Sequence, residues 1–184
     1  MKISPCDVLL ADGRKTCLRS PEAGDAGALL AHLRLLFHEA YRNLNFPAAH
    51  FDGAKVEDQA RRIADFNSAA AGSLVVAAHD GRIVGNLALM AVGGEFQRFN
   101  CRLAMGIEKA FTGAGLGKAL ISAAVDQAKI MGHHRIELSV RVHNAAGIAL
   151  YEGCGFRRVG TLRDIVFLDG EFHDEFLYEL VLSR

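Results

Sequence analysis

Residues 111–132 read FTGAGLGKALISAAVDQAKIMG. Gly113, Gly115 and Gly117 stand between a strand candidate, Arg102–Ile107, and a helix candidate, Gly115–Met131. Leu116, Leu120, Ala124, Ala128 and Met131 form one apolar stripe, while Lys118, Ser122, Asp126 and Lys129 fall largely on other faces. Gly132 is placed to end the helix. Glycines at such a turn let the backbone bend tightly and bring its N–H groups close to a ligand. The helix N-terminus adds partial positive charge, so a phosphate or pyrophosphate fits there, with Lys118 as an added cation. The segment lacks the Gly-Lys-Ser/Thr of a Walker A loop. It is not the opening strand–turn of a dinucleotide fold either. Taken alone, it is equally a glycine-rich turn with no ligand.

Working outward, residues 135–156 read RIELSVRVHNAAGIALYEGCGF. Leu138, Val140 and Val142 alternate with Glu137, Ser139, Arg141 and His143, which predicts a half-polar strand over Arg135–Val142. Asn144 ends it and can cap a short helix over Ala145–Glu152. Tyr151 lies about two turns beyond Asn144, on the same side of that helix. Gly153 and Gly155 stop the helix, and Phe156 starts another strand.

Together these segments resemble the GNAT superfamily of N-acetyltransferases. The family's acetyl-CoA loop, Gln/Arg-x-x-Gly-x-Gly/Ala, corresponds to Thr112-Gly113-Ala114-Gly115-Leu116-Gly117, with Thr112 at the Gln/Arg position. The later block, Asn-x-x-Ala-x-x-Leu-Tyr-x-x-x-Gly-Phe, is matched at Asn144, Gly147, Leu150, Tyr151, Gly155 and Phe156, with Gly147 where Ala is usual. The likeness covers roughly residues 73–182 and is greatest to ribosomal-protein alanine acetyltransferases and small amine or amino-acid N-acetyltransferases.

The resemblance implies an α/β (α+β) fold: a mixed, mostly antiparallel central sheet with splayed central strands and helices on both faces. It implies acetyl-CoA as co-substrate, with its pantetheine arm between strands Arg102–Ile107 and Arg135–Val142. The backbone of Met105, Gly106 and Ile107 would bond that arm like an added strand. The loop Thr112, Gly113, Ala114, Gly115, Leu116, Gly117 and Lys118 would hold the pyrophosphate. Asn144 would contact the pantetheine or cap the helix beside it, and Tyr151 would protonate the leaving thiolate. Primary amines have pKa values of roughly 8 to 10.4, so a base must take a proton before attack. The Glu that related enzymes place five residues before the motif's Asn is Ser139 here. Glu137 and Glu108 are the replacements, and a water chain without a single base is the third option.

The remaining chain fits one domain spanning 1–184, with the acetyl-CoA-binding core at about 73–182. Pro21–Tyr41 and Val56–Asn67 read as helices, and Thr16–Arg19 as a short edge strand. Ser73–His79 and Arg82–Met90 flank Asp80-Gly81, and Phe156–Asp169 and Glu171–Leu182 flank Asp169-Gly170; both dipeptides signal hairpins. The 21 basic and 21 acidic residues balance, with no basic stripe, so nucleic acid is not an expected partner. No apolar run is long enough for a membrane span. The start is broken by Pro5, Cys6, Asp7, Asp12 and Gly13, which does not suit a signal peptide, and cytoplasm is the expected location. Cys6, Cys17, Cys101 and Cys154 lack metal or CxxC spacing and read as free thiols; no metal is expected.

Several other side chains carry no motif of their own. His38, Glu39 and His50 lack a metal motif and read as surface or substrate-wall groups, and His133 and His134 follow a helix end, where cationic side chains suit the helix dipole. His173, Asp174 and Glu175 either line an acceptor site or face solvent. Cys154 lacks a visible base for ping-pong transfer. Phe37, Tyr41, Phe46 and Phe51 fall where the family shapes its acceptor pocket. The expected acceptor is a small amine or a protein N-terminus, and a C-terminal strand could pair across a homodimer. A non-catalytic acyl-CoA-binding module on the same fold is the alternative function. An ATP-binding role lacks the hydroxyl after the loop lysine that would hold magnesium.

Overall fold

The computed structural model describes residues 2–68 and 72–182. The elements are β1 (Cys6–Leu9), β2 (Lys15–Arg19), α1 (Ala26–Ala40), α2 (Val56–Ser68), β3 (Gly72–His79), β4 (Arg82–Ala91), β5 (Asn100–Ile107), α3 (Leu116–Ile130), β6 (Arg135–Arg141), α4 (Ala145–Gly153), β7 (Arg157–Leu168) and β8 (Glu171–Val181). They build one eight-stranded sheet in the order β1-β2-β3-β4-β5-β6-β8-β7. Every neighbouring pair is antiparallel except β5–β6.

The helices divide between the two faces. On one, α1 and α2 bury Leu29, Leu30, Leu33, Leu36, Phe37 and Ile63 against Leu74, Val76, Ile83 and Ala88. On the other, α3 buries Leu116, Leu120, Ile121, Ala124 and Ala128 against Val75, Leu87, Leu103, Ile136 and Leu138. Leu74 and Val76 thus point one way and Val75 and Ala77 the other, which is why β3 reads as an unbroken apolar run. The hairpin turns sit where the dipeptides place them. Asp80 and Gly81 have φ of 47° and 76°, and Asp169 and Gly170 have 53° and 86°.

Two expectations need correction. β2 is not an edge strand, because β1 pairs with it from Cys6↔Leu18 to Leu9↔Lys15 and takes the edge position itself. Helix α1 starts at Ala26, five residues after Pro21. The Asp25 carboxylate accepts the Glu22 N–H at 2.7 Å and the Arg19 guanidinium at 2.6 and 2.7 Å, which fixes a 3-10 turn there instead.

The feature that positions the site is the contact between β5 and β6. They pair over three rungs, Asn100↔Arg135, Cys101↔Ile136 and Arg102↔Glu137. Beyond these, β5 continues along β4 to Ile107 and β6 continues along β8 to Arg141, so the two strands splay apart toward their C-terminal ends.

Candidate active site

Strand parity determines what faces the gap. Glu108 N–H donates to Val84 O at 3.0 Å and Val92 N–H to Asn100 O at 3.3 Å, so even-numbered β5 residues aim their backbone at β4. Phe99 O accepts from His134 and Arg135, so odd-numbered ones aim at β6. Met105 and Ile107 therefore turn their N–H and C=O groups into the gap, where β6 has left. Polar backbone groups unpaired along a strand are an edge onto which an extended amide chain can add. The backbone of Gly106 pairs instead with Asn86 on β4. Gly106 has a packing reason for lacking a side chain, because a Cβ there would lie 2.1 Å from Leu36 Cδ2 on α1.

The loop into α3 is a second cradle. Gly113 and Gly115 adopt φ of 75° and 92°, which L side chains rarely reach. Gly115 is the N-cap, and no side chain caps it. The first helical bond is Ala119 N–H to Gly115 O at 3.2 Å, which leaves the N–H groups of Leu116, Gly117 and Lys118 without intrahelical acceptors. The Thr112 hydroxyl turns back to Lys109 O at 2.8 Å. The N-terminal hairpin buttresses the loop: Ala11 N–H donates to Ala114 O at 3.0 Å, and Arg14 donates to Ala110 O while lying 3.9 Å over the Phe111 ring.

Helix α4 packs against this loop, since a Cβ at Gly117 would stand 2.7 Å from Leu150 Cδ2. Asn144 caps α4, its Oδ1 accepting the Gly147 N–H at 3.0 Å. A Cβ at residue 147 would lie 2.8 Å from the Asn144 amide nitrogen, which accounts for glycine in place of alanine. Tyr151 is half-buried and meets the Phe156 ring edge-on at 5.9 Å. Burial, with Cys154 nearby, pushes its phenol up to about 12. The hydroxyl has no hydrogen-bond partner among the described residues, so it is a protonated donor free to find one. Burial also pushes the Cys154 thiol up, against the pull of Lys118, which keeps it from being a ready thiolate.

The two glutamates proposed as bases are both committed. Glu137 bridges Arg102 (2.6 Å) and Arg135 (2.7 Å) at the root of the splay. Its burial opposes ionisation, but the hydrogen bonds from Arg102 and Arg135 outweigh that and hold the carboxyl below its ordinary value. Glu108 is buried, with Oε1 at 3.2 Å from His32 Nδ1 and Oε2 at 3.2 Å from Arg82. His32 in turn reaches Asn86 Oδ1 at 3.0 Å, and burial lowers its pKa despite Glu108 and Asn86. Ser139 is exposed, on the same side of β6 as Glu137.

A cavity of about 480 Å³ opens at the end of α1, lined by Glu39, Ala40, Tyr41, Arg42, Asn43, His143 and His173. Glu39 Oε2 accepts the Lys109 N–H at 2.9 Å, just beyond the end of β5. Arg42 reaches Asp169 of the β7–β8 turn at 3.0 Å. Among the described residues no cluster of His, Cys, Asp and Glu is placed to hold a metal.

Comparison with known proteins decides the family. The sequence matches the Acetyltransferase (GNAT) family over residues 32–156, more than half of the chain. The chain belongs to the GNAT acetyltransferase family. A spermidine N(1)-acetyltransferase from Vibrio cholerae is 38% identical over 63 residues, which are 34% of this chain and 36% of that protein. This match spans about a third of that relative. A GNAT-family acetyltransferase structure from Streptococcus pneumoniae superposes with a TM-score of 0.82 at 24% identity, over 91% of this chain and 99% of the other. A Salmonella typhimurium acetyltransferase structure containing its cofactor acetyl-CoA gives 0.80 at 17% identity, over 92% and 95%.

The GNAT fold brings together the strand gap, the glycine loop and the α4 tyrosine on the α3 side of the sheet. It leaves Glu137 at the closed end of the splay and Glu108 at the open end. The cavity side chains His143, His173 and Glu39 did not stand out in the sequence as one site. The one available signal was the position of His143 directly before the motif's Asn144.

Proposed function

We propose that this protein transfers the acetyl group of acetyl-CoA to a primary amine by direct attack within a ternary complex. The parting of β5 from β6 carries this reading. It leaves the backbone of Met105 and Ile107 free to pair with the pantetheine amides, with Gly106 allowing α1 to pack close behind. An N–H from this edge is placed to polarise the thioester carbonyl and to stabilise the oxyanion. The open N–H groups from Gly113 to Lys118, with the Lys118 side chain, suit the pyrophosphate. Thr112 contributes no side-chain contact in this reading, since its hydroxyl is spent on Lys109. Tyr151 delivers the proton to the departing sulfur. Asn144 holds α4 so that Tyr151 faces the gap.

The acceptor reaches the thioester from the α1 side, through the cavity between Glu39 and His143. Its polar lining suits a small amine better than an apolar one. The Vibrio relative named for spermidine supports a polyamine among the candidates, beside amino acids and protein N-termini.

One observation favours the alternative of an acyl-CoA-binding module without turnover: Glu108 and Glu137 are both held in ion pairs. Thermal stability separates the readings in steps. Acetyl-CoA and CoA, but not ATP, should stabilise the protein by about 2.7 kcal/mol at 100 times the dissociation constant. Thiol release with an amine panel then distinguishes enzyme from sensor, with Tyr151→Phe as control.

A further inference from the structure

We propose that His143, backed by His173, accepts the proton of the acceptor amine, while Glu39 holds that amine in its ammonium form beside them. This rests on the acetyltransferase reading above. The cavity lies between the end of α1 and the segment that follows β6, and Glu39 ties it to the segment that follows β5. Glu39 is anchored to Lys109 beyond β5, and His143 follows the last residues of β6. It opens at the end of α1, whereas the glycine loop and α4 lie on the α3 side. An amine held there meets a thioester in the gap from the opposite face.

The other bases are excluded by their partners. Glu108 is divided between His32 and Arg82, Glu137 between Arg102 and Arg135, and His32 is buried between Glu108 and Asn86. In the cavity, the His143 and His173 rings meet at 73° with centroids 5.9 Å apart. His173 Nε2 is enclosed and has no hydrogen-bond partner among the described residues.

His143 is faced by His173 and the Arg141–Glu175 pair on β6 and β8, by Arg42 with Tyr41 after α1, by Asp169 on Arg42, and by Glu39 on α1. The carboxylates favour its imidazolium and the cationic groups its neutral ring, and burial tips the balance to the neutral form. Desolvation in the cavity wall lowers the imidazole's pKa first, and His173, Arg141 and Arg42 lower it further. An imidazole ordinarily near 6.5 is better matched to an amine near 8 to 10 than a carboxylate near 4.3, because proton transfer works best with a base poised near the working pH. Glu39 is the cavity's one carboxylate without a cationic partner among the described residues, which suits it to hold an ammonium.

The ammonium releases its first proton through His143 to water, leaving a neutral amine. Its nitrogen forms the C–N bond to the thioester carbonyl carbon and passes its second proton to the neutral His143 ring. The C–S bond breaks, and the sulfur takes the Tyr151 proton. Imidazolium and phenolate reset through water, so one proton is released per ammonium acetylated.

The test uses the full chain and two readouts. The first is the pH profile of kcat with spermidine and with alanine. His143→Gln should lower kcat about 100-fold and abolish the acid limb. His173→Gln should move that limb to higher pH, and Glu39→Gln should raise KM about tenfold, more than it lowers kcat. The second is independent of turnover: the His143 and His173 ring protons are followed by NMR, and those of His143 should titrate below 6.5. They should also shift on addition of spermidine or alanine. An unchanged kcat and a retained acid limb in His143→Gln would overturn the proposal, as would ring signals that ignore both amines. Failure of acetyl-CoA to stabilise the wild-type protein would instead remove the acetyltransferase reading, leaving the NMR result to judge the amine site.

Discussion

Arg141 and Glu175 form an ion pair sealed between β6 and β8, their side chains 1% and 8% exposed. Arg141 also donates to Leu44 O at 2.9 Å and Asn45 Oδ1 at 3.2 Å, so the pair ties the C-terminal strands to the segment after α1 that walls the cavity. Removing one partner strands the other charge in a low-dielectric site. Glu175→Ala should cost about 3–5 kcal/mol in urea unfolding, with Arg141→Met/Glu175→Leu recovering most of it. A loss no larger than that of an exposed ion pair would show that the interior pair does not hold these segments.

Gly106 backs the strand gap only because it lacks a side chain. With a Cβ 2.1 Å from Leu36 Cδ2, Gly106→Ala should destabilise by about 1–3 kcal/mol and weaken acetyl-CoA binding through displacement of β5. Adding Leu36→Ala should recover less than the whole, because that change opens a cavity of its own. Additive losses in the double mutant would refute the clash.

Glu137 gives a pH signature. Its pKa in the folded protein is depressed, so the stabilisation from Arg102 and Arg135 is full above the unfolded value near 4.3. It is lost as pH falls through the folded value. The stability gap between wild type and Glu137→Gln should be flat at neutral pH and shrink below about pH 4.3. A gap that widens on acidification would contradict the ion-pair account. Since this carboxylate is a clamp, Glu137→Gln should change kcat far less than His143→Gln.

In the proposed mechanism Tyr151 would act as its protonated form, and burial pushes its phenol up to about 12. Its deprotonation therefore should not limit the rate anywhere below about pH 11. Tyr151→Phe should lower kcat about 10- to 100-fold, at or below the usual range for a general acid, because a thiol of pKa about 8.5 already leaves fairly well. An unchanged kcat, or an alkaline limb near pH 9 that disappears in the variant, would remove it from this role.

Much of this architecture was legible where the physics is local. Asp-Gly turns, the α3 stripe from Leu116 to Ala128, and the Asn144 cap are set by residues within a few positions of one another. β1 escaped because its four residues, all exposed but Val8, carry too little alternation to register. The long-range chemistry was not legible. His32 meets Glu108 across 76 residues, and Arg14 reaches Ala110, in the turn before the glycine loop, across 96. In sequence His32 stands between Leu30 and Leu33 of an apolar stripe, and nothing local distinguishes it. The cavity likewise needs the end of α1, the end of β6 and the start of β8 to converge. Thr112, at a position where the family has Gln or Arg, leaves the loop's backbone N–H groups at Leu116, Gly117 and Lys118 unchanged as donors.

The most direct measurement supplies isotopically labelled acetyl-CoA with a panel of polyamines, amino acids and N-terminal peptides, and follows both products by mass spectrometry and thiol titration. The account predicts an N-acetylated amine and free CoA thiol in equal amounts, dependent on the protein and lost in His143→Gln. Stabilisation by acetyl-CoA with no acetylated amine and no thiol above the blank would contradict it, and would leave a protein that binds the thioester in the β5–β6 gap without turning it over.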